Sequence, residues 1–562
     1  MGVGGVARPF LLGLVLWTAG GAAPGPSGPT PDGSDPAPTP ARIAYAIGAL
    51  TQGVDGIGLG TTVQSAGALE TFYRNRAYRP AWFRSGFPGR QAWQVFAAAR
   101  SARDEGLDPS RYHAERLDSL LRAFQRKLFL LQQPRPGTGL RLELLLTDAY
   151  LTLGDHLLSG CVRPVPLADP RPIRNEVFDL PVYLEQALAS GADLRASLRA
   201  LLPAAPGYGR LKEWLARYRK IEASGGWSRL SAGPGLALGD SGSRVAALCR
   251  RLRAEGHLQA KACSDSFTVA MEAAVRDFQA RHGLAATGSI GPAEYARLEA
   301  GVGQRIAQIR IALEIGRWLP RDPGPKHVEV NIADFRLEAY AAGRDTLRMK
   351  VVVGRKEDHT PLLADRMIGI ALNPPWNVPD AIAREEIVPE LRKDPDYLAR
   401  HDMELLRDTD MGPVPIEPKD FDWRAFDAGD FPYRVRQRPG ESSALGKIKF
   451  VLSNPFNIYL HDTPSTASFR REERAFSHGC VRVENPVELA LWALRPDPSW
   501  NRESLGKEIG KGRQTFLPLP DGGIPVYILY RTAFTDAAGA LRFRRDIYGW
   551  DAKLRKALDR AP

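Results

Sequence analysis

At 562 residues the chain exceeds what one hydrophobic core holds; a prior of roughly 150 residues per domain points to three or four units. With 44% apolar and 25% charged residues it has the composition of a folded globular protein, so disorder is expected only locally. The formal charge of +12 would suit an anionic partner, yet no block of five or six Lys and Arg occurs; the reading is an arginine-rich surface with no nucleic-acid partner. Four cysteines are too few for a disulfide scaffold. Cys249 and Cys263 lie close enough in sequence to bridge in an oxidising compartment, which would leave Cys480 a free thiol.

Residues 1–23 carry Arg8, an apolar run from Phe10 to Trp17 and small residues from Ala19 to Ala23. This is the pattern of a secretory signal, too short for a stable bilayer span, although Pro24 crowds one cleavage site and leaves an uncleaved anchor open. Any membrane association is expected only through this segment. Residues 24–42, rich in Pro, Gly, Ser and Asp, read as an extended linker.

From 43 to 230 apolar residues recur at helical spacing, as in Leu140, Leu144, Leu145, Leu151 and Leu157, predicting a helical scaffold domain. The aromatic run Tyr78-Arg-Pro-Ala-Trp82-Phe83 within it reads as a core corner. Gly225-Gly226 and Ser231 to Gly235 mark a boundary. Residues 236–300 then predict a small three-helix module, with a Gly-Asp-Ser-Gly start at 239–242 and Phe278-Gln279 leading to Gly283-Leu284. A connecting amphipathic helix is expected in 301–325, with Ile306, Ile309, Ala312, Leu313 and Trp318 on one side.

Beyond it the period becomes two, in Val328–Ile332, Phe335–Tyr340, Leu347–Val353 and Ile368–Leu372, predicting a mainly-β domain over 326–534. A polar, Pro-rich stretch of about 382–445 interrupts that domain and reads as an inserted lid or capping segment. Residues 535–562 form a C-terminal segment. The fold class is therefore multidomain α+β.

Reactive side chains concentrate between His461-Asp462-Thr463-Pro464 and Ser477-His478-Gly479-Cys480-Val481-Arg482. A thiol attacking an acyl carbon needs a base, a group that fixes the base's tautomer, and N–H donors for the developing oxyanion. His461 is the candidate base, and the carbonyl beside it or Asp462 itself can hold the ring. Gly479 and the Cys480 N–H are candidate donors. Cys480, placed between a glycine turn and an expected helix start, sits where backbone N–H groups would favour the thiolate. Zinc is not favoured, because neither Cys-x-x-Cys nor His-Glu-x-x-His spacing occurs, and a papain-like order would be the reverse of this one. No metal or cofactor is expected.

His461, fifteen residues and then Ser477-His-Gly-Cys480 resemble the signature of the YkuD-type L,D-transpeptidase catalytic domain. The likeness extends to the large multidomain Gram-negative subgroup through Asn373-Pro-Pro-Trp-Asn-Val-Pro379, Ile458-Tyr-Leu-His-Asp-Thr-Pro464, Phe543-Arg-Arg-Asp-Ile-Tyr548 and Tyr78–Phe83, while the 236–300 module resembles the peptidoglycan-binding module of wall enzymes. The resemblance implies a periplasmic enzyme acting on peptidoglycan stem peptides, donor tetrapeptide and acceptor, to form 3→3 cross-links between meso-diaminopimelate residues through a thioacyl intermediate on Cys480. It implies His461 as proton acceptor, His478, Gly479, Ser477 and Asp462 as oxyanion- or substrate-orienting residues, and Arg482, Tyr459 and Trp376 as substrate-binding residues. Carbapenem-type inhibitors are implied as well. An L,D-carboxypeptidase, or an amidase acting on stem peptides or wall-anchored protein, is the alternative; a wall-binding scaffold with a vestigial site is disfavoured by the intact residues. Arg482 departs from the asparagine of many smaller members, and Leu313–Trp318 is less aromatic and less polar than the subgroup's usual run.

Overall fold

The computed structural model describes residues 37–53, 58–162, 178–227, 229–230, 232–259, 262–342, 344–421, 423 and 431–560. The expected export signal at 1–23 and most of the expected linker lie outside these residues. Among the described residues no helix is long and apolar enough to cross a membrane. The chain combines a helical N-terminal scaffold, a small helical module and a mainly-β C-terminal domain.

The scaffold begins three residues inside the expected linker, with the helix Pro40–Thr51. Proline suits the first helical turn, where its missing N–H costs nothing, and the Thr39 hydroxyl accepts the Arg42 N–H to cap it. The scaffold packs around Thr138–Ser159, which is buried on nearly every face, as an axial helix in a bundle must be. The Tyr78–Phe83 run is a core corner: Trp82 is 1% exposed and its indole N–H donates to Thr147 Oγ1 at 2.8 Å. Beneath it the buried Glu143 carboxylate accepts Tyr73 Oη–H at 2.9 Å and the backbone N–H groups of Ala81 and Trp82. Burial outweighs these bonds and pushes its pKa up to about 7.

In the small module the helices Ser243–Glu255, Val269–Arg281 and Pro292–Leu298 enclose Leu248, Val275, Phe278 and Leu298. A disulfide joins Cys249 to Cys263, and Cys161 and Cys480 are free thiols.

The helix Val302–Trp318 differs from the amphipathic connector expected. It is buried around most of its circumference, packed against the helices Thr138–Ser159, Pro206–Ala223 and Trp550–Asp559 and the strand Ala533–Thr535. Its polar side is covered by salt bridging: Arg317 pairs with Glu314 at 2.6 Å and donates to Glu105 O and Tyr208 Oη, both at 2.9 Å. Helices from the scaffold and from the chain's last residues fold back onto it, a long-range event that local periodicity does not encode.

The β domain is a ten-stranded sheet. The strand Ile448–Leu452 pairs both with Leu460–His461 and with Leu363–Leu372, which closes the sheet on itself around a core of Val330, Leu337, Val351, Ile370 and Phe450. The insertion is more ordered than a polar excursion. Strands Trp376–Asn377, Met403–Thr409, Gly412–Ile416 and Arg434–Gln437 form a separate four-stranded sheet, whose own core includes Val388, Leu391, Leu405 and Val435.

Candidate active site

The short strand Leu460–His461 lies between Ile448–Leu452, antiparallel, and Val481–Val483, parallel; laterally His461 pairs with Lys449 on one side and with Arg482 on the other. Directly paired residues project to the same face of a sheet, so register alone brings one imidazole between two cations. The turn leading into the strand is held by Asn454, whose Oδ1 accepts the N–H groups of Phe456 at 3.0 Å and Ile458 at 3.1 Å.

His461 is 4% exposed, and its Nδ1 lies 2.6 Å from the Asp462 backbone oxygen. A carbonyl only accepts, so Nδ1 carries the proton and the Nε2 lone pair is left unprotonated in the neutral ring. Burial, then the Arg482 and Lys449 charges, hold the ring's pKa down to about 3. Of the two orienters considered, the backbone carbonyl does the holding. The Asp462 carboxylate accepts instead from Lys447 N at 2.8 Å and Thr463 N at 2.7 Å.

Cys480 closes the loop that follows the strand Ala475–Ser477, and the next element is the strand Val481–Val483; the helix Pro486–Leu494 starts six residues on. The expectation of a helix N-terminus activating the thiol is therefore corrected. The electrostatics agree: burial pushes the Cys480 thiol up, against the opposing pull of the Tyr459 N–H and hydroxyl, Lys449 and Arg482. The sulfur is 3.5 Å from the Asn457 carbonyl oxygen.

Gly479 has φ of 108°, and a Cβ there would meet the His359 carbonyl oxygen at 3.4 Å. Its role in the fold is this conformation. Its N–H donates to Ser477 Oγ at 3.2 Å, while that hydroxyl donates to Cys480 O at 2.6 Å. The Gly479 amide is thus engaged within the loop, contrary to the expectation of a free oxyanion donor. Thr360 Oγ1 locks the same loop by donating to Gly479 O at 2.7 Å. Further back, buried Arg474 donates to Val351 O at 3.1 Å and Phe335 O at 3.0 Å, pinning the approach to the β domain.

His478 points to the insertion, with Nε2 2.6 Å from Glu386 Oε1. Arg482 is half-buried, and among the described residues its buried Nε has no hydrogen-bond partner. Tyr459 carries the Lys449 ammonium 3.8 Å above its ring, and its side chain bonds to both Cys480 and Trp376. Trp376 belongs to the insertion's sheet, so that sheet reaches the sulfur through one tyrosine.

The structure therefore gathers every candidate residue around one loop and adds Lys449, Asn457, Thr360 and Glu386, which sequence reasoning did not single out as site residues. Lys449 lies in the alternating run Ile448–Leu452, but its place opposite His461 is a strand register that no local signal encodes, and Glu386 has no local signal either. Among the described residues no cluster of His, Cys, Asp and Glu could hold a metal ion.

Three family models match the chain. Residues 325–522 match the L,D-transpeptidase catalytic domain, YkuD; residues 67–215 match a scaffold domain; residues 241–298 match a provisional peptidoglycan binding domain. Over 228 residues the chain is 35% identical to a Haemophilus influenzae protein carrying a provisional L,D-transpeptidase name, a match covering 41% of this chain and 45% of that relative. The chain thus spans less than half the length of this curated relative. Among solved structures, an L,D-transpeptidase from Xylanimonas cellulosilytica is 17% identical, covering 53% of this chain and 99% of that one, with a TM-score of 0.17. An Ldtfm–avibactam carbamoyl enzyme is 10% identical, covering 41% and 63%, with a TM-score of 0.18. At those scores neither superposition bears on the geometry.

Proposed function

We propose, from the premise that residues 325–522 are a YkuD L,D-transpeptidase catalytic domain in a chain that also carries a peptidoglycan-binding module, that the protein is an exported, periplasmic transpeptidase forming 3→3 cross-links between peptidoglycan stem peptides. The observation that carries the reading is the His461 ring, held through Nδ1 by the Asp462 carbonyl so that Nε2 is left as a base, in a strand that pairs with the one that begins directly after Cys480.

With the thiol raised and the imidazole lowered, a preformed thiolate–imidazolium pair is disfavoured. The chemistry is general-base catalysis. As Cys480 Sγ attacks the carbonyl carbon after the L-centre of meso-diaminopimelate in the donor, its proton passes to His461 Nε2. The C–N bond to the terminal D-alanine then breaks, and the same proton goes to the departing amine. A thioester remains. The side-chain amine of an acceptor stem attacks it, surrenders a proton to His461, and the expelled sulfur takes that proton back.

The positive surroundings of the sulfur suit a substrate rich in carboxylates. Arg482 offers a guanidinium for bidentate pairing with one, and Tyr459 and Trp376 form the wall beside the thiol. The Cys480 N–H is the donor that remains for the oxyanion, with His478, Ser477 and Asp462 positioning the loop around it. The test is incubation with tetrapeptide-bearing muropeptides followed by mass spectrometry. Dimers lacking one D-alanine, absent with Cys480→Ala, support cross-linking; tripeptide monomers alone would make the enzyme an L,D-carboxypeptidase.

A further inference from the structure

In the scaffold, far in sequence from Cys480, lies a cleft of about 860 Å³ between the helix Ala114–Leu130 and the start of Thr138–Ser159. Its lining includes Arg116, Arg126, Arg135 and Arg141, and among the described residues Glu115 is the one carboxylate there. Among the described residues none of these four arginines forms an ion pair; Arg141 donates through its terminal nitrogens to the Gly58 and Pro136 carbonyl oxygens at 3.5 and 3.2 Å, and its Nε is buried without a partner. The positive end of the second helix adds to the same field through Thr138, its first residue.

Immediately beside the cleft, the end of the first helix presents Leu128, Phe129, Leu130 and Leu131 to solvent, at 60%, 76%, 61% and 85% exposure. Four consecutive large apolar side chains left wet are unusual on a soluble surface and mark an interaction site. An acidic peptide would pair with the arginines and leave the leucines in water. An apolar protein face would cover the leucines and strand four guanidinium groups.

We infer that this face docks on an anionic phospholipid bilayer, the cleft taking a lipid phosphate group while Leu128–Leu131 enters the acyl boundary. Both halves of the surface are then matched, the arginines by charge-assisted bonds to phosphate oxygens and the leucines by transfer out of water. The inference stands apart from the proposed chemistry at Cys480.

The test is hydrogen exchange on the full-length chain with phosphatidylglycerol–phosphatidylcholine vesicles, phosphatidylcholine vesicles and inorganic phosphate. The apolar run Phe10–Trp17 can enter either vesicle, so the readout is exchange in peptides spanning 126–141. Expected is slowed exchange there with anionic vesicles and not with the other two. Substituting Arg116→Gln, Arg126→Gln and Arg135→Gln lowers the anionic preference roughly five-fold per arginine, and Phe129→Ser with Leu131→Ser removes the protection. These side chains are exposed, so unchanged melting confirms folding. Protection by phosphate alone would mean a soluble-anion site, and protection that survives the arginine substitutions, or never appears, overturns the inference.

Discussion

His478 donates its Nε2–H to Glu386 Oε1 at 2.6 Å across 92 residues of sequence, so the loop bearing Cys480 is fastened to the inserted unit. Glu386 lies in a π-helical turn, Ala383–Ile387, a distortion that recurs at functional sites. Both side chains are partly exposed, which limits the bond's strength. Glu386→Ala is expected to lower kcat/KM on muropeptides by roughly three- to ten-fold with little change in melting temperature, and Glu386→Gln, which keeps an acceptor, by less. A loss confined to melting temperature would make the contact purely structural.

The lowered imidazole and raised thiol set the pH behaviour. Because the His461 pKa is held to about 3, the base stays available on acidification, and kcat/KM should not fall near the usual histidine range between pH 7 and 5. Burial raises the Cys480 thiol, so its alkylation by iodoacetamide should be slow at pH 7 and still be rising beyond the ordinary thiol range. Lys449→Met removes one of the charges that favour the thiolate and should slow alkylation further. The measurement is alkylation rate against pH, read as mass on the Cys480 peptide.

How much of this site the sequence carries depends on how local each relationship is. Cys480, His461 and Arg482 stand in one short motif, and the strand register that faces His461 with Arg482 follows from their place in neighbouring strands. Gly479 is legible as a glycine requirement, but the reason is its positive φ against His359, a residue 120 positions upstream, and its amide is taken by Ser477. Reading a helix start behind Cys480 failed because Val481–Val483 is recruited into the sheet first, and strand pairing is decided by partners such as Val352 and Leu460. The insertion's sheet was hidden for the same reason: its pairs Gln437–Trp376 and Arg436–Glu404 join segments separated by prolines and charge.

Glu143 gives the scaffold a pH-dependent stability. Its pKa rises from 4.5 unfolded to about 7 folded, so the native state holds a proton that the unfolded state has released. Stability from this group is fully present below about pH 4.5 and is lost as pH rises through 7. The stability of Glu143→Gln relative to the parent chain should therefore shift in the variant's favour by about 3 kcal/mol between pH 4.5 and 8. Urea midpoints of the two proteins at the two pH values check this, and parallel midpoints would refute it.

The disulfide between Cys249 and Cys263 closes a 14-residue separation in the small module. Replacing both with serine should destabilise that module by about 3 kcal/mol, from the loop entropy returned to the unfolded chain. Titration of the denatured, unreduced protein should count two thiols, from Cys161 and Cys480, and four would show that the bridge does not form.

Carbapenems supply a strained amide carbonyl next to a carboxylate, and the surroundings of Cys480 offer both a thiol and the cations Arg482 and Lys449. Attack by Sγ opens the ring and leaves no small leaving group, so the protein mass should increase by that of the whole inhibitor. Cys161 is the internal control. It is half-buried, desolvation and then the neighbouring Glu314 push its thiol up to about 12, and it should remain unmodified. Arg482→Ala should slow acylation about ten-fold or more, the worth of one charged hydrogen bond to the inhibitor carboxylate, while Cys480→Ala should abolish it. An adduct on Cys161, or an unchanged intact mass after prolonged exposure, would remove Cys480 from the nucleophile's role.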